Sequence, residues 1–340
     1  MPALITKEFN PIKDSNQLLP MDEAARMKRA EEMGFNRDVY HGTTQEIEEF
    51  NLDLANPESD LGSGIYTTST FDDANLNYSN IDGQDLTQKI ELRAEQLEET
   101  YGDMDKAREA AKAELYGGVD EVLKLKARVQ NPAYVGGDKK TFLELNQREF
   151  DAEDYLDEAK NTTSLDVNDF NNTADYDAAL LDEANELGIE DSYNFEPEGK
   201  LVDLMESIRR QAGSDADDAI STIYNEAVDG GIDADRFIEI VKESDLAYYE
   251  MIDGKNGTNE LIRQAFQDAG YDGFIDQGPY NKWGGGSGRK EFMEGINEDT
   301  EHIIPFNPNQ LRSKDAVFDP SKIDSADLMS SLVKILNGYV

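Results

Sequence analysis

From Asn161 to Gly199 the chain contains no lysine or arginine, and the surrounding segment 141–260 holds 33 acidic against 8 basic residues, a net of −25. Such a stretch folds only if its carboxylates face water. Its apolar residues recur at helical spacing, as in AALLDEANELGI, KLVDLMESIRRQA, DDAISTIYNEAV and ADRFIEIVKESDLAYYEMI. We read residues 140–257 as an acidic, mostly helical insertion. The whole chain of 340 residues carries 73 acidic and 32 basic side chains, a formal charge of −41, so the 220 residues outside 141–260 carry only −16. This charge excludes a protein that reads a phosphate backbone with Lys and Arg, and it opposes docking on an anionic membrane.

Cysteine is absent, which removes disulfides, thiolate metal sites and Cys nucleophiles. The two histidines, His41 and His302, are too few for a multi-His metal site. No apolar run approaches the roughly 18 residues needed to span a bilayer. The N-terminus lacks the basic and apolar regions of a signal peptide. A soluble, cytoplasmic protein is the expectation.

The remaining sequence alternates helical and strand signals. MDEAARMKRAEEMGF reads as a helix stopped by Gly34. Asp38–His41 reads as a short strand, Ile65–Thr68 as a β-rich run, and Asp72–Tyr78 as a short helix. Residues 85–116 form long helical sequence with Leu86, Ile90, Leu97 and Tyr101 along one stripe. Val122–Val129 alternates as a half-exposed strand that Asn131-Pro132 ends. Then ELIRQAFQDAG gives a helix, YDGFID a strand, GPYNKWGGGSGRKEF a Gly-rich loop, EHIIPF a further strand, and 326–340 a terminal helix.

Four segments carry the chemistry: Tyr40-His41-Gly42-Thr43, Gly62-Ser-Gly-Ile-Tyr66-Thr67, Ala74–Tyr78, and Thr300-Glu301-His302-Ile-Ile304. In this order, with two long intervening segments, they resemble the ADP-ribosyltransferase fold in its His-Tyr-Glu class, which includes the poly(ADP-ribose) polymerases and diphtheria toxin. The closest resemblance is to the ADP-ribosyltransferase-like domains of phage polyvalent proteins. The lead-in helix, Asn131-Pro132, AGYDG at 269–273 and FNPNQLRS at 306–313 extend it. It covers about 21–135 and 258–325 and omits the acidic middle.

The resemblance implies an α+β fold in which two small, mostly antiparallel sheets form an NAD cleft. An N-terminal arm and lead-in helix (1–36) would precede the two halves (37–139 and 258–325), which the insertion (140–257) separates and a C-terminal helix (326–340) follows. The insertion would dock outside the cleft. NAD would be the substrate, and no metal would be required. Breaking its nicotinamide–ribose bond passes through an oxocarbenium-like transition state. His41 would bind the ribose hydroxyls, Gly42 the carboxamide through its backbone, and Tyr66 and Tyr78 the two faces of the nicotinamide ring. Thr43 would help position NAD. Glu301 would bind the ribose 2′-hydroxyl and stabilise the developing charge. It is preferred over Glu291, Glu294 and Glu298 because it leads directly into EHIIPF. His302 alternates to the other side of the strand and receives no role. Tyr280 and Trp283, in the Gly-rich loop, would form the tip that recognises the acceptor.

The function implied is a phage-encoded mono-ADP-ribosyltransferase acting in the host cytoplasm on a host macromolecule, a protein first and nucleic acid as the alternative. Two other readings remain open. The same residues serve an NAD glycohydrolase, and the acidity also suits an inactive binding or virion protein that mimics nucleic acid. Adaptation to a salty environment explains the acidity equally well.

Overall fold

The computed structural model describes residues 19–54, 59–80, 82–145, 160, 163–170, 176, 179–180, 183, 199–228, 231–249, 257–288 and 293–329. The expected N-terminal arm up to residue 18, the helix over AALLDEANELGI for the most part, and residues 330–340 lie outside them.

Local signals set the first elements. The Asp22 carboxylate accepts from the Ala25 amide at 3.0 Å and caps α1 (Glu23–Glu32), and Gly34 ends it at φ +84°. β1 (Arg37–Thr43) runs past the expected His41, because its pairing with the strand Glu121–Ala127 continues through Gly42 and Thr43. β2 is only Thr67–Thr68. A helical turn, Phe71–Asp73, then runs into a wider turn, Ala74–Tyr78. The long helical sequence at 85–116 divides into α2 (Gln84–Tyr101) and α3 (Met104–Leu115). Gly102 takes a left-handed φ of +63° and the Asp103 carboxylate accepts from the Asp105 and Lys106 amides, so the chain reverses there. Buried Ala94, Ala107 and Ala111 let the two helices pack closely.

β3 (Glu121–Ala127) is followed by β4 (Pro132–Val135), where the sequence was expected to leave the sheet. β4 is an edge strand whose first residue is Pro132, a position where proline's missing N–H costs no ladder bond. Apart from short helical turns, the described elements that follow are β5 (Phe142–Leu143), α4 (Lys200–Ala212), α5 (Asp217–Ala227), β6 (Ile232–Asp233), α6 (Ala234–Glu243), α7 (Thr258–Asp268), β7 (Gly273–Asp276), β8 (His302–Pro305) and β9 (Leu311–Ser313).

The fold is α+β. Seven strands form one sheet in the order β4-β7-β8-β2-β1-β3-β9, with β4 and β7 parallel and every other pair antiparallel. This differs from the expected pair of small sheets. Short as it is, β2 pairs with both β1 (Tyr40 opposite Thr68) and β8 (Thr67 opposite Ile303), joining the two halves into one sheet. Among the described residues, the second sheet is the β5–β6 pair.

The described helices of the acidic region are not a separate body. Leu204, Ile208, Ile223, Phe237 and Val241 from α4, α5 and α6 share one core with Leu261 and Phe266 of α7 and with Ala133, Phe274 and Ile304 of the sheet. The expected boundaries at 140 and 257 therefore mark a change of charge, not of core. Amphipathic helices allow this: the apolar stripe is buried while surface carboxylates pair, as Glu226 and Glu239 do with Arg236. A second core, with Val39, Ile65, Leu125, Ile303 and Leu311, contains the alternate residues of β1, β3 and β8.

Near the C-terminus, buried Arg312 donates to the carbonyls of Leu311, Lys322, Ile323 and Ser325. Burial first, then the charge of Arg128, brings its guanidinium pKa down to about 10. Residues 326–329 of the expected terminal helix form an irregular stretch and a turn. Among the described residues, no helix is long and apolar enough to cross a membrane.

Candidate functional site

Strand register decides which of the nominated residues meet. Tyr40 lies opposite Thr68, and Thr68 opposite His302. Directly opposed residues share a sheet face, and Gly42, two positions from Tyr40, shares it too. The segment 71–78 crosses this face. The Phe71 ring meets Tyr40 edge-on at 5.8 Å. A Cβ on Gly42 would lie 2.2 Å from the Ala74 carbonyl oxygen and 2.7 Å from Tyr78 Cβ, so only glycine permits this approach. Tyr40, Gly42, Tyr66, Thr67, Thr68, Tyr78 and His302 line a small cavity there, of about 10 Å³. That is room for about one water molecule.

Tyr66 is held at both ends. Its hydroxyl donates to the Gly62 carbonyl (3.0 Å) and accepts from the Leu61 amide (3.3 Å). Burial pushes the phenol well above its ordinary pKa, and the charges of Asp60 and Asp276 push the same way. Hydrogen bonds from the Leu61 amide and the Ser59 side chain oppose the shift. The ring is neutral at any physiological pH. Helices α6 and α7 brace the loop that holds it. Lys242 of α6 donates to the Ser59 carbonyl (2.6 Å), and the Ser63 amide donates to the Asn259 carbonyl (2.9 Å).

His41 stands next to this arrangement but on the other face. Its Nδ1 donates to the Tyr66 carbonyl at 2.8 Å, which fixes a proton on that nitrogen. Its ring meets Phe50 of the second core edge-on at 4.9 Å. Thr43 is buried and closes a turn, its hydroxyl donating to the Gln45 carbonyl (2.9 Å) and accepting from the Gln45 amide (3.1 Å). Neither residue lines the cavity.

Glu301 is fixed by its backbone: its amide donates to Ser69 Oγ, and the Ser69 amide donates to its carbonyl, both at 2.9 Å. One carboxylate oxygen accepts from Gln277 Nε2 (2.7 Å), and the other lies 3.9 Å from Arg37 Nη1. The side chain is 29% exposed and immediately precedes His302 of the cavity wall, without lining the cavity itself. A carboxylate with one oxygen accepting from Gln277 and the other beside the Arg37 guanidinium is part-exposed and can take a hydroxyl group or stabilise a nearby cation.

The Gly-rich segment that carries the expected recognition tip folds back on itself. Pro279–Lys282 forms a helical turn. The Tyr280 ring packs beneath Gly284, Gly285 and Gly286, so closely that a Cβ on Gly286 would lie 2.6 Å from it. Trp283 stacks on His302 at 5.7 Å with 21° between the rings. Small residues let the segment fold onto its own aromatics, which leaves Tyr280 and Trp283 partly exposed. Residues 289–292 of the segment lie outside the described residues.

Sequence reasoning passed over His302 and Asp73. His302 Nε2 lies 2.9 Å from Asp73 Oδ2, with both side chains buried. Alternation in the sequence puts Glu301 and His302 on opposite sides of the strand, but that the cavity lies on the His302 side follows from the pairing with β2 and the packing of segment 71–78. No protein-family model, curated protein or solved structure matches the chain.

Proposed function

We propose that this chain is a mono-ADP-ribosyltransferase that uses NAD and modifies a host macromolecule, a protein in the first instance. One observation carries this reading. Gly42, Tyr66 and Tyr78, nominated from three separate segments, line a single cavity, and Glu301 precedes His302 of its wall in the chain, on the same sheet face as His41. In the reaction, the bond between the nicotinamide nitrogen and ribose C1′ breaks and its electron pair leaves with neutral nicotinamide. C1′ then bonds the acceptor nucleophile, whose proton passes to Glu301 or to water. The tyrosines would hold the ring, the Gly42 backbone the carboxamide, and Glu301 the ribose hydroxyl and the cationic C1′. His41, bonded to the Tyr66 carbonyl, would act at the edge of this arrangement. A cavity of about 10 Å³ does not admit a pyridine ring, so binding requires Tyr78 or its neighbours to move.

The described helices of the acidic region, α4 to α6, bury one face in the core, and Asp233, Glu226 and Glu239 are ion-paired, which does not favour mimicry there; most of the run from Asn161 to Gly199 lies outside the described residues.

The test is release of nicotinamide from NAD by the purified protein, followed by labelled NAD in host lysate. Glu301→Gln should lower the rate by about 10²–10³-fold, the cost of removing one electrostatic stabiliser of the transition state. Label in macromolecules supports transfer, whereas free ADP-ribose alone would make the protein an NAD glycohydrolase. An unchanged rate in Glu301→Gln would remove that carboxylate from the mechanism.

A further inference from the structure

The proposed chemistry leaves one buried polar pair unused. Asp73 is fully enclosed and His302 is 3% exposed, yet they form a carboxylate–imidazole contact of 2.9 Å. Such a pair is a poor source of stability, because desolvating it offsets much of the attraction and apolar side chains of the same volume pack at no such cost. It does supply fixed orientation. Asp73 accepts from Asn77 Nδ2 (2.8 Å), and the same amide donates to the Glu294 carbonyl (2.8 Å). The imidazole thereby ties the segment 71–78, which carries Tyr78, to the start of β8. Its face carries Trp283 and its side meets the Tyr78 ring at 6.3 Å and 78°.

We propose that His302, locked by Asp73 and backed by the Trp283 ring, is a positioning residue of the cavity: it sets where Tyr78 stands, and so governs how tightly the cavity holds a nicotinamide ring. This rests on the reading of the cavity given above. Glu301, which acts on the ribose, is held by Gln277 and Ser69 and is independent of the pair. Loss of the pair therefore weakens binding of NAD while sparing bond cleavage, a change in KM with kcat kept.

Trp283 is the only tryptophan and stacks on the imidazole, so its emission reports on the site. Titrating the full chain with nicotinamide should give a saturable change in emission. Asp73→Asn and His302→Gln should each move its midpoint about tenfold higher, raise KM for NAD about tenfold, and leave kcat within about threefold. Unchanged midpoints and KM would overturn the inference, as would a collapse of kcat at constant KM. Trp283→Phe leaves the buried pair intact and serves if the other variants do not fold; its KM should also rise, and an unchanged value counts against the inference. A wild type that responds to nicotinamide but never cleaves NAD defeats the transferase reading alone. A wild type whose emission ignores nicotinamide defeats this inference whatever its activity.

Discussion

Tyr66 shows how far a single residue could be read. Tyr66 was nominated by its place among four segments whose order carries a family resemblance, but its hydrogen bonds to Leu61 and Gly62 depend on a loop that α6 and α7 hold in place. Tyr66→Phe leaves the Gly62 carbonyl and the Leu61 amide without the hydroxyl, at an expected cost of about 1–3 kcal/mol near neutral pH. The pH dependence has a definite sign. Burial raises the phenol pKa in the fold, so the unfolded chain ionises first. The stability from the neutral phenol is complete below its unfolded value of about 10 and is lost as pH rises beyond it. In denaturant titrations the gap between wild type and Tyr66→Phe should therefore narrow above that pH, and a constant gap would contradict the assignment. His41 and Thr43 show the limit of motif reading at this scale. A strand alternates its faces, so neighbours in a motif need not share a site.

At the level of elements, caps and periodicity were legible and close approach was not. Asp22, Gly34 and Gly270 punctuate helices as their types suggest, with Gly34 and Gly270 both at φ +84°. The segment 71–78, in contrast, takes its position from its packing on β1. Gly42→Ala tests that contact, because its Cβ would meet the Ala74 carbonyl at 2.2 Å and must push the segment away. The expected cost is about 1–3 kcal/mol in stability, measured by urea unfolding, with loss of nicotinamide release. Full stability in Gly42→Ala would mean that the segment does not lie on the strand. β4 was missed for a related reason: Pro132 reads as a stop in isolation but is acceptable at the start of an edge strand, and only the sheet order makes β4 an edge.

At the scale of the whole molecule, charge and core separate. The sequence divides at 140 and 257 by charge, whereas the principal core runs through that division. Phe237 of α6 is fully buried and meets Phe266 of α7 edge-on at 5.5 Å. Phe237→Ala should therefore cost about 3–5 kcal/mol and lower one cooperative transition that includes the sheet. A separate early transition, with the sheet unaffected, would restore the picture of an independent insertion. By itself the sequence determined the α+β class, most helix limits outside the acidic run, and the identity of Gly42, Tyr66, Tyr78 and Glu301 as residues worth testing, because periodicity, capping and motif order are local properties. Only the tertiary structure decided that two residues of β2 fuse the halves into one sheet, that the acidic helices complete its core, and that His302 rather than His41 faces the cavity. Register and packing are set by partners distant in the chain, and no local pattern encodes which face those partners cover.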